Sequence, residues 1–292
     1  MMNQLRVPLR TGATLVCALL LTLVFVVGAG AGPAKAGISF QTYNRDQGWD
    51  TCAHPSAAAF SAWWSNSPNF VYGTYLGGDN GTYVGCTNIG TGLLDDAVND
   101  DWGVIPAWYG PQMPESCGQG YFPDTIDVNP SLAYTQGEAQ ANEASAAAKA
   151  DGYDTFDVIY YDLESWGDDS STCLDSAEAY INGWDHQMDA NTPYIGGMYG
   201  STCGSFLDDF SGIANAPFDV WAADPDTSNP WIFNLVCLSN SDWTSNQRIH
   251  QFSEPVNLSY GGYPITVDED CADAEVDTNY VAVDANNCAY AS

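Results

Sequence analysis

The segment DVIYYDLESWGDD, Asp157–Asp169, ends an apolar and aromatic run in Asp162, Leu163 and Glu164. Residues two apart in an extended chain share a face. Val158, Tyr160, Asp162 and Glu164 therefore point one way, and Ile159, Tyr161 and Leu163 the other. A buried run does not carry charge without cost, so two carboxyls aimed together at its end imply a use. Glycoside hydrolysis is one: a protonated carboxyl donates to the leaving oxygen, and a charged one acts as base, nucleophile or stabiliser. Like charges crowded together raise one pKa, and an apolar wall raises it further. A rise of two units corresponds to about 2.7 kcal/mol and would keep Glu164 protonated in mildly acidic medium. In so acidic a chain the Asp-x-Glu spacing alone is weak. DAE at Asp273–Glu275 repeats it with no strand ahead and is given no role.

Other strand-like runs end in acids. Asp50 ends the first, Asp224 the sixth, and Asp268 and Asp270 the eighth. Asp50 and Asp268 join Asp162 and Glu164 as candidate catalytic residues. Sugar rings stack on aromatic faces, which makes Trp49, Trp108, Trp166 and Trp221, all near strand ends, candidate platforms, although each taken singly fits a core better than a platform. Tyr75, Tyr160, Tyr199 and Gln251 complete the expected substrate-binding set, with Tyr199 placed to hydrogen-bond a carboxylate. His54, His186 and His250 are scattered, without HExxH or paired spacing, so no metal site is expected, and His250 reads as a hydrogen-bonding rim or core residue. There is no GxSxG elbow, and neither GxGxxG nor GxxxxGK[ST] occurs. No cofactor is expected.

What must position these groups is a series of short apolar runs alternating with helix-length segments. The predicted strands are a first ending at Gly48–Asp50 after GISFQTY, then Phe70–Gly78, Gly103–Gly110, Phe156–Glu164, Tyr194–Gly200, Phe218–Asp224, Arg248–Phe252 and Pro264–Asp270. Helices are predicted over Ser56–Trp64 with Pro55 near the first turn, over TGLLDDAVNDD, over the Ala- and Glu-rich Gly137–Gly152, and over Cys173–Ala190. The strands are apolar on both faces, as in covered parallel sheets. Eight such units predict an α/β fold, a single TIM-like (β/α)8 barrel whose C-terminal rim holds the chemistry. Irregularity is expected in its last units, and Pro225–Gln247 reads as a loop.

The first 36 residues read as a secretory signal peptide. Arg6 and Arg10 precede an apolar Ala13–Val27, and AKA at Ala34–Ala36 fits a cleavage site. The remaining 37–292 form one predicted domain, with no later run long and apolar enough to span a bilayer. Eight cysteines remain: Cys52, Cys86, Cys117, Cys173, Cys203, Cys237, Cys271 and Cys288. An even count after export reads as stapled loops of open pairing, and without CxxC pairs a zinc site is not expected. Past residue 36, three basic residues face 37 acidic ones, a formal charge of −34. Such a surface repels nucleic acid and anionic membranes, leaving a polysaccharide as the expected partner of a monomer that is secreted or associated with the cell wall.

At the acid-bearing strands the chain resembles a secreted bacterial glycoside-hydrolase-like domain family, itself similar to glycoside hydrolase family 25, the lysozyme-type muramidases. The matching pieces are GWDTCAHPS (Gly48–Ser56), YGTYLGG (Tyr72–Gly78), VIPAWYGPQ (Val104–Gln112), IYYDLE (Ile159–Glu164), GGMYGS (Gly196–Ser201), RIHQF (Arg248–Phe252) and ITVDED (Ile265–Asp270). The resemblance implies a TIM-like barrel with a cell-wall polysaccharide, peptidoglycan, as ligand. It implies that Glu164 donates the proton and that Asp162 stabilises the oxocarbenium-like centre or orients an N-acetyl group. Asp50 and Asp268 would shape the charge around them. Asp270 departs from family 25, which has an asparagine there. DVIYYDLE also runs in register with the chitinase-type D-x-x-D-x-D-x-E signature through Asp157, Asp162 and Glu164, but Tyr160 replaces the middle aspartate and Val158 the usual glycine. Two readings follow: a hydrolase of a β-linked amino-sugar polymer, and a wall-binding or structural barrel without turnover.

Overall fold

Alternation of buried faces organises the described residues into ten strands and five helices. We describe the chain from a computed structural model, for residues 39–43, 45–225, 229–278 and 287–288. The predicted signal peptide lies outside these residues.

Eight strands close a barrel: β2 (Asp46–Asp50), β3 (Val71–Tyr75), β4 (Gly103–Trp108), β5 (Val158–Asp162), β6 (Ile195–Ser201), β7 (Asp219–Ala223), β8 (Arg248–Tyr260) and β9 (Tyr263–Asp273). Neighbours from β2 to β8 pair in parallel, the β4–β5 pairing included. β9 closes the ring between β8 and β2 and runs antiparallel to both. This corrects one expectation. The seventh and eighth strands form a hairpin turning at Gly261 and Gly262, both at positive φ, and the eighth descends through the barrel instead of ending at its rim. Outside the ring, β1 (Ser39–Thr42) pairs antiparallel with β10 (Glu275–Thr278), and β10 meets β4 at Val104. GISFQTY is thus a separate strand from the one ending at Asp50.

The helices are α1 (Ala57–Asn66), α2 (Gly81–Val84), α3 (Thr91–Asn99), α4 (Pro130–Asp151) and α5 (Ser171–Asn191). They fill the connections up to β6. A 3-10 turn (Leu207–Gly212) replaces the next helix, and the link to β8 is irregular, as expected. α4 begins seven residues before the predicted start. Asn129 caps it by accepting from the Ser131 amide, Pro130 occupies the first turn, and Gly152 ends it at φ 99°. α4 and α5 pack backbone to backbone. A Cβ on Gly137 would sit 2.1 Å from the Tyr180 carbonyl, and one on Gly183 would sit 2.1 Å from that of Tyr134.

Two buried clusters separate the faces. Val158 and Tyr160 lie inside the barrel with Val71, Ile105, Trp221, Ile249 and Ala272. Ile159, Tyr161 and Leu163 lie between barrel and helices with Trp184, Leu94 and Phe60. Each fully buried Val, Leu or Ile side chain contributes about 1.5–3 kcal/mol. Tyr43 and Val276 close the lower end, both touching Gly103. The disulfides pair Cys52–Cys86, Cys117–Cys173, Cys203–Cys237 and Cys271–Cys288.

Candidate active site

The upper rim collects carboxyls from three neighbouring strands and from β5 across the ring. Asp50 is the last residue of β2. The antiparallel register of β9 sets Asp268 opposite Asp50, and Asp270 opposite Gly48 on one side and Gln251 of β8 on the other. Because Gly73 on β3 lacks a side chain, Trp221 fits beside Asp50: a Cβ there would lie 2.5 Å from both. Trp221 Nε1 donates to Asp270 Oδ1 at 2.8 Å. Gln251 joins two strands, donating from Nε2 to Asp50 Oδ2 (2.8 Å) and accepting the Tyr199 hydroxyl at Oε1 (2.8 Å).

β5 stops at Asp162, and Glu164 lies two residues beyond. A side chain the sequence reading had not assigned carries the strand geometry onward. Gln112, fully buried, donates to the Asp162 carbonyl (2.7 Å) and accepts the Glu164 amide (2.9 Å). It thus stands in for a neighbouring strand. Tyr75 donates to Asp162 Oδ2 at 3.0 Å, and Tyr109 reaches Glu164 Oε1 at 3.4 Å.

Crowding and burial push every carboxyl of this cluster toward its neutral form. Burial raises Glu164 most, followed by the charges of Glu254 and Asp50, against the Tyr109 hydrogen bond. Asp162 stands well above the carboxylate range, through burial and then Glu164, despite Tyr75. Asp268 is pushed up to about 8 by burial, Asp50, Glu254 and Glu164. Asp270 is raised well above its usual value by burial and Asp50. Asp50 is held lower, at about 6, because hydrogen bonds from Gln251 and Asp270 offset its burial. One shared proton between Asp50 and Asp270 accounts for that bond.

A cavity of about 380 Å³ opens over the cluster. Asp50, Tyr75, Glu164, Tyr199, Gln251 and Asp268 line it, together with Tyr109 and Glu254. The Cys52–Cys86 disulfide and Val84 flank it from the β2 and β3 ends, and Ser165, Ser201, Ala223 and Pro225 from those of β5, β6 and β7. Asp162 lies behind Tyr75, buried and off the wall.

Five expected sugar contacts are not on the wall. Trp108 faces the helices, where Nε1 donates to Gln140 at 2.7 Å. It is Tyr109, one residue on, that turns inward. Trp166 is buried under its own loop, bonded to the Asp168 carbonyl and packed on Phe206. Tyr160 and Trp221 do point inward but lie beneath the cavity, in edge contact with each other. Trp49 belongs to the outer aromatic cluster with Phe60, Trp63 and Tyr72. His250 is buried, with Nε2 3.4 Å from the Asp224 carbonyl, and burial pushes its pKa down. Among the described residues, no group of three or more His, Cys, Asp or Glu could hold a metal ion.

Comparison with solved structures returns the same barrel. An uncharacterized protein of B. stearothermophilus superposes with a TM-score of 0.54 at 14% identity, covering 78% of this chain and 95% of that one. The Mycobacterium tuberculosis Tat-secreted protein Rv2525c, in complex with L-tartrate, gives 0.49 at 14% identity, covering 78% and 96%. A family 25 glycosyl hydrolase from Bacillus anthracis gives 0.47 at 10% identity, covering 78% and 89%. Curated proteins return no match. The family model for the Rv2525c-like, glycoside hydrolase-like domain matches residues 61–272, from α1 to the lower part of β9. The chain belongs to the Rv2525c-like, glycoside hydrolase-like domain family.

Proposed function

We propose that this protein is a secreted glycoside hydrolase that cuts a β-linked amino-sugar polymer of the cell wall, with Glu164 as its general acid. The observation that carries the reading is the position of Glu164. It is a carboxyl pushed toward its protonated form, on the wall of a cavity whose opposite strands supply Asp50 and Asp268. Its backbone is pinned by Gln112, so the proton is presented from a fixed point. Groups whose pKa values are pushed apart divide the labour of acid and anion. Asp50, at about 6, ionises before Asp268 and faces the positive charge developing on the sugar ring. Asp268, at about 8, keeps its proton longer. Asp162 acts from behind Tyr75, setting the charge that Glu164 meets.

The wall polymer follows from the resemblance of the rim motifs to family 25 muramidases. Export follows from the leader-like first 36 residues, and four disulfides fit an oxidising exterior. The test is release of reducing ends from purified cell walls at pH 5–6 by wild type and Glu164→Gln. General acid catalysis is worth about 10²–10⁴-fold, so the variant should lose at least a hundredfold with its fold intact by circular dichroism. Equal turnover removes Glu164 from the role. Wall binding by wild type with no soluble product replaces the hydrolase by a binding barrel.

A further inference from the structure

The cavity wall is rich in hydrogen-bond acceptors and poor in donors. Its carboxyls come from β2, from just beyond β5, and from β8 and β9 as Asp50, Glu164, Glu254 and Asp268, and among the described residues no Lys, Arg or His lines it. The donors present are already engaged inside the protein. Tyr75 donates to Asp162, Tyr109 to Glu164, Tyr199 to Gln251, and Gln251 to Asp50. Apart from the protons held by the carboxyls themselves, the hydroxyls of Ser165 and Ser201 are what remains among the described lining side chains to donate outward. Behind the wall, Asp162 Oδ1 adds one buried oxygen without a hydrogen-bond partner among the described residues.

An acetamido group needs a donor for its carbonyl oxygen. An ammonium group brings three N–H donors and needs only acceptors. Resting on the reading of this site as one for an amino-sugar polymer, we infer that it selects a sugar carrying a free ammonium group, the de-N-acetylated form of the polymer. The formal charge of −34 beyond residue 36 draws a polycation toward the barrel mouth. Specificity comes from the cavity itself, where a bound ammonium replaces the protons that Asp268 and Glu254 otherwise retain while Glu164 keeps its own. Selective binding therefore releases protons into solution. The groups facing the ammonium are Asp50 of β2, Tyr75 of β3, Tyr109 after β4, Glu164 after β5, Tyr199 of β6, Glu254 of β8 and Asp268 of β9, with Asp162 and Asp270 buried behind them. All are acids or neutral donors.

The test compares a β-1,4-linked glucosamine oligosaccharide with the same oligosaccharide after N-acetylation. Titration calorimetry is run at pH 6 and 0.15 M salt, where attraction by distant surface charge is screened, in two buffers of different ionisation enthalpy. The amine form should bind about tenfold tighter or more and release protons. Glu254→Gln should reduce that preference several-fold. Asp154→Asn, which removes a charge from the exposed loop before β5, should not. Equal or tighter binding of the N-acetylated form overturns the inference, as does an equal effect of the two variants. Turnover separates it from the reading it rests on. Selective binding of the amine form without cleavage leaves the ligand class standing and removes the hydrolase. Cleavage confined to the N-acetylated form does the reverse.

Discussion

Replacing Asp50 by Asn should make the protein more stable while disabling it, and the gain should depend on pH. Asp50 is 3% exposed, so solvent screens it little. Its carboxyl is raised from 3.8 to about 6 by burial, and Glu254 adds to the rise. A folded-state pKa above the unfolded one means that the folded protein holds the proton more tightly. That contribution is complete below about pH 4 and is lost as pH climbs through about 6. The difference of about two units corresponds to about 3 kcal/mol. Asn stays neutral throughout, can still accept from Gln251 and can donate to Asp270. Urea unfolding of both proteins from pH 4 to pH 8 is the assay. The two should agree within about 0.5 kcal/mol at pH 4, and the variant should lead by about 3 kcal/mol at pH 8. In thermal melts that is about 6 °C for a chain of this size. A difference that does not change with pH, or a wild type that leads at pH 8, refutes the claim that Asp50 ionises against its surroundings.

Gln112→Ala should lose the two hydrogen bonds that hold Asp162 and Glu164 in line, at a cost of about 1–3 kcal/mol in stability. Turnover should fall by more than that loss explains, read as kcat at a temperature where the variant is fully folded. Tyr75→Phe removes the bond that lowers Asp162, so Asp162 stays neutral to higher pH, Glu164 meets less negative charge, and the alkaline limb of the pH–rate profile should move downward. Trp108→Phe should cost about 1–2 kcal/mol through the lost Gln140 bond and leave KM unchanged, because Trp108 is not on the cavity wall.

Alternation within a strand was legible wherever the strand is regular. It gives Asp162 and Glu164 one shared direction, and the buried Val158, Ile159, Tyr160, Tyr161 and Leu163 alternate between the barrel interior and the helix layer. Applied to β4, the same rule finds Tyr109. With Ile105 and Ala107 inside, residue 109 turns inward and Trp108 outward. Alternation gives the face but not the depth, which is why Tyr160 and Trp221 share the inner face with the site yet form its floor. Glu254 escapes the rule for a local reason. The β8–β9 register shifts between Gln251 and Ser253 and again before Val256, so counting by twos from Gln251 fails. Gln112 lies in a loop where no period operates. The direction of β9 was hidden because TYR-rich Tyr260–Tyr263, with its two glycines, spells a turn only once both flanking strands are known to be long.

The barrel is closed by the seam between β2 and β9. Asp46 pairs with Ala272 and Asp50 with Asp268, so the first strand of the ring is completed by nearly the last. Such distant pairings form late, and until then β2 presents an open edge. The cavity has no partial version: half-folded chains contain Asp50 and Glu164 but no enclosure to change their chemistry. Closure also brings two acids face to face. The final stitch of the molecule should therefore be quickest in mild acid, where their mutual repulsion has been switched off.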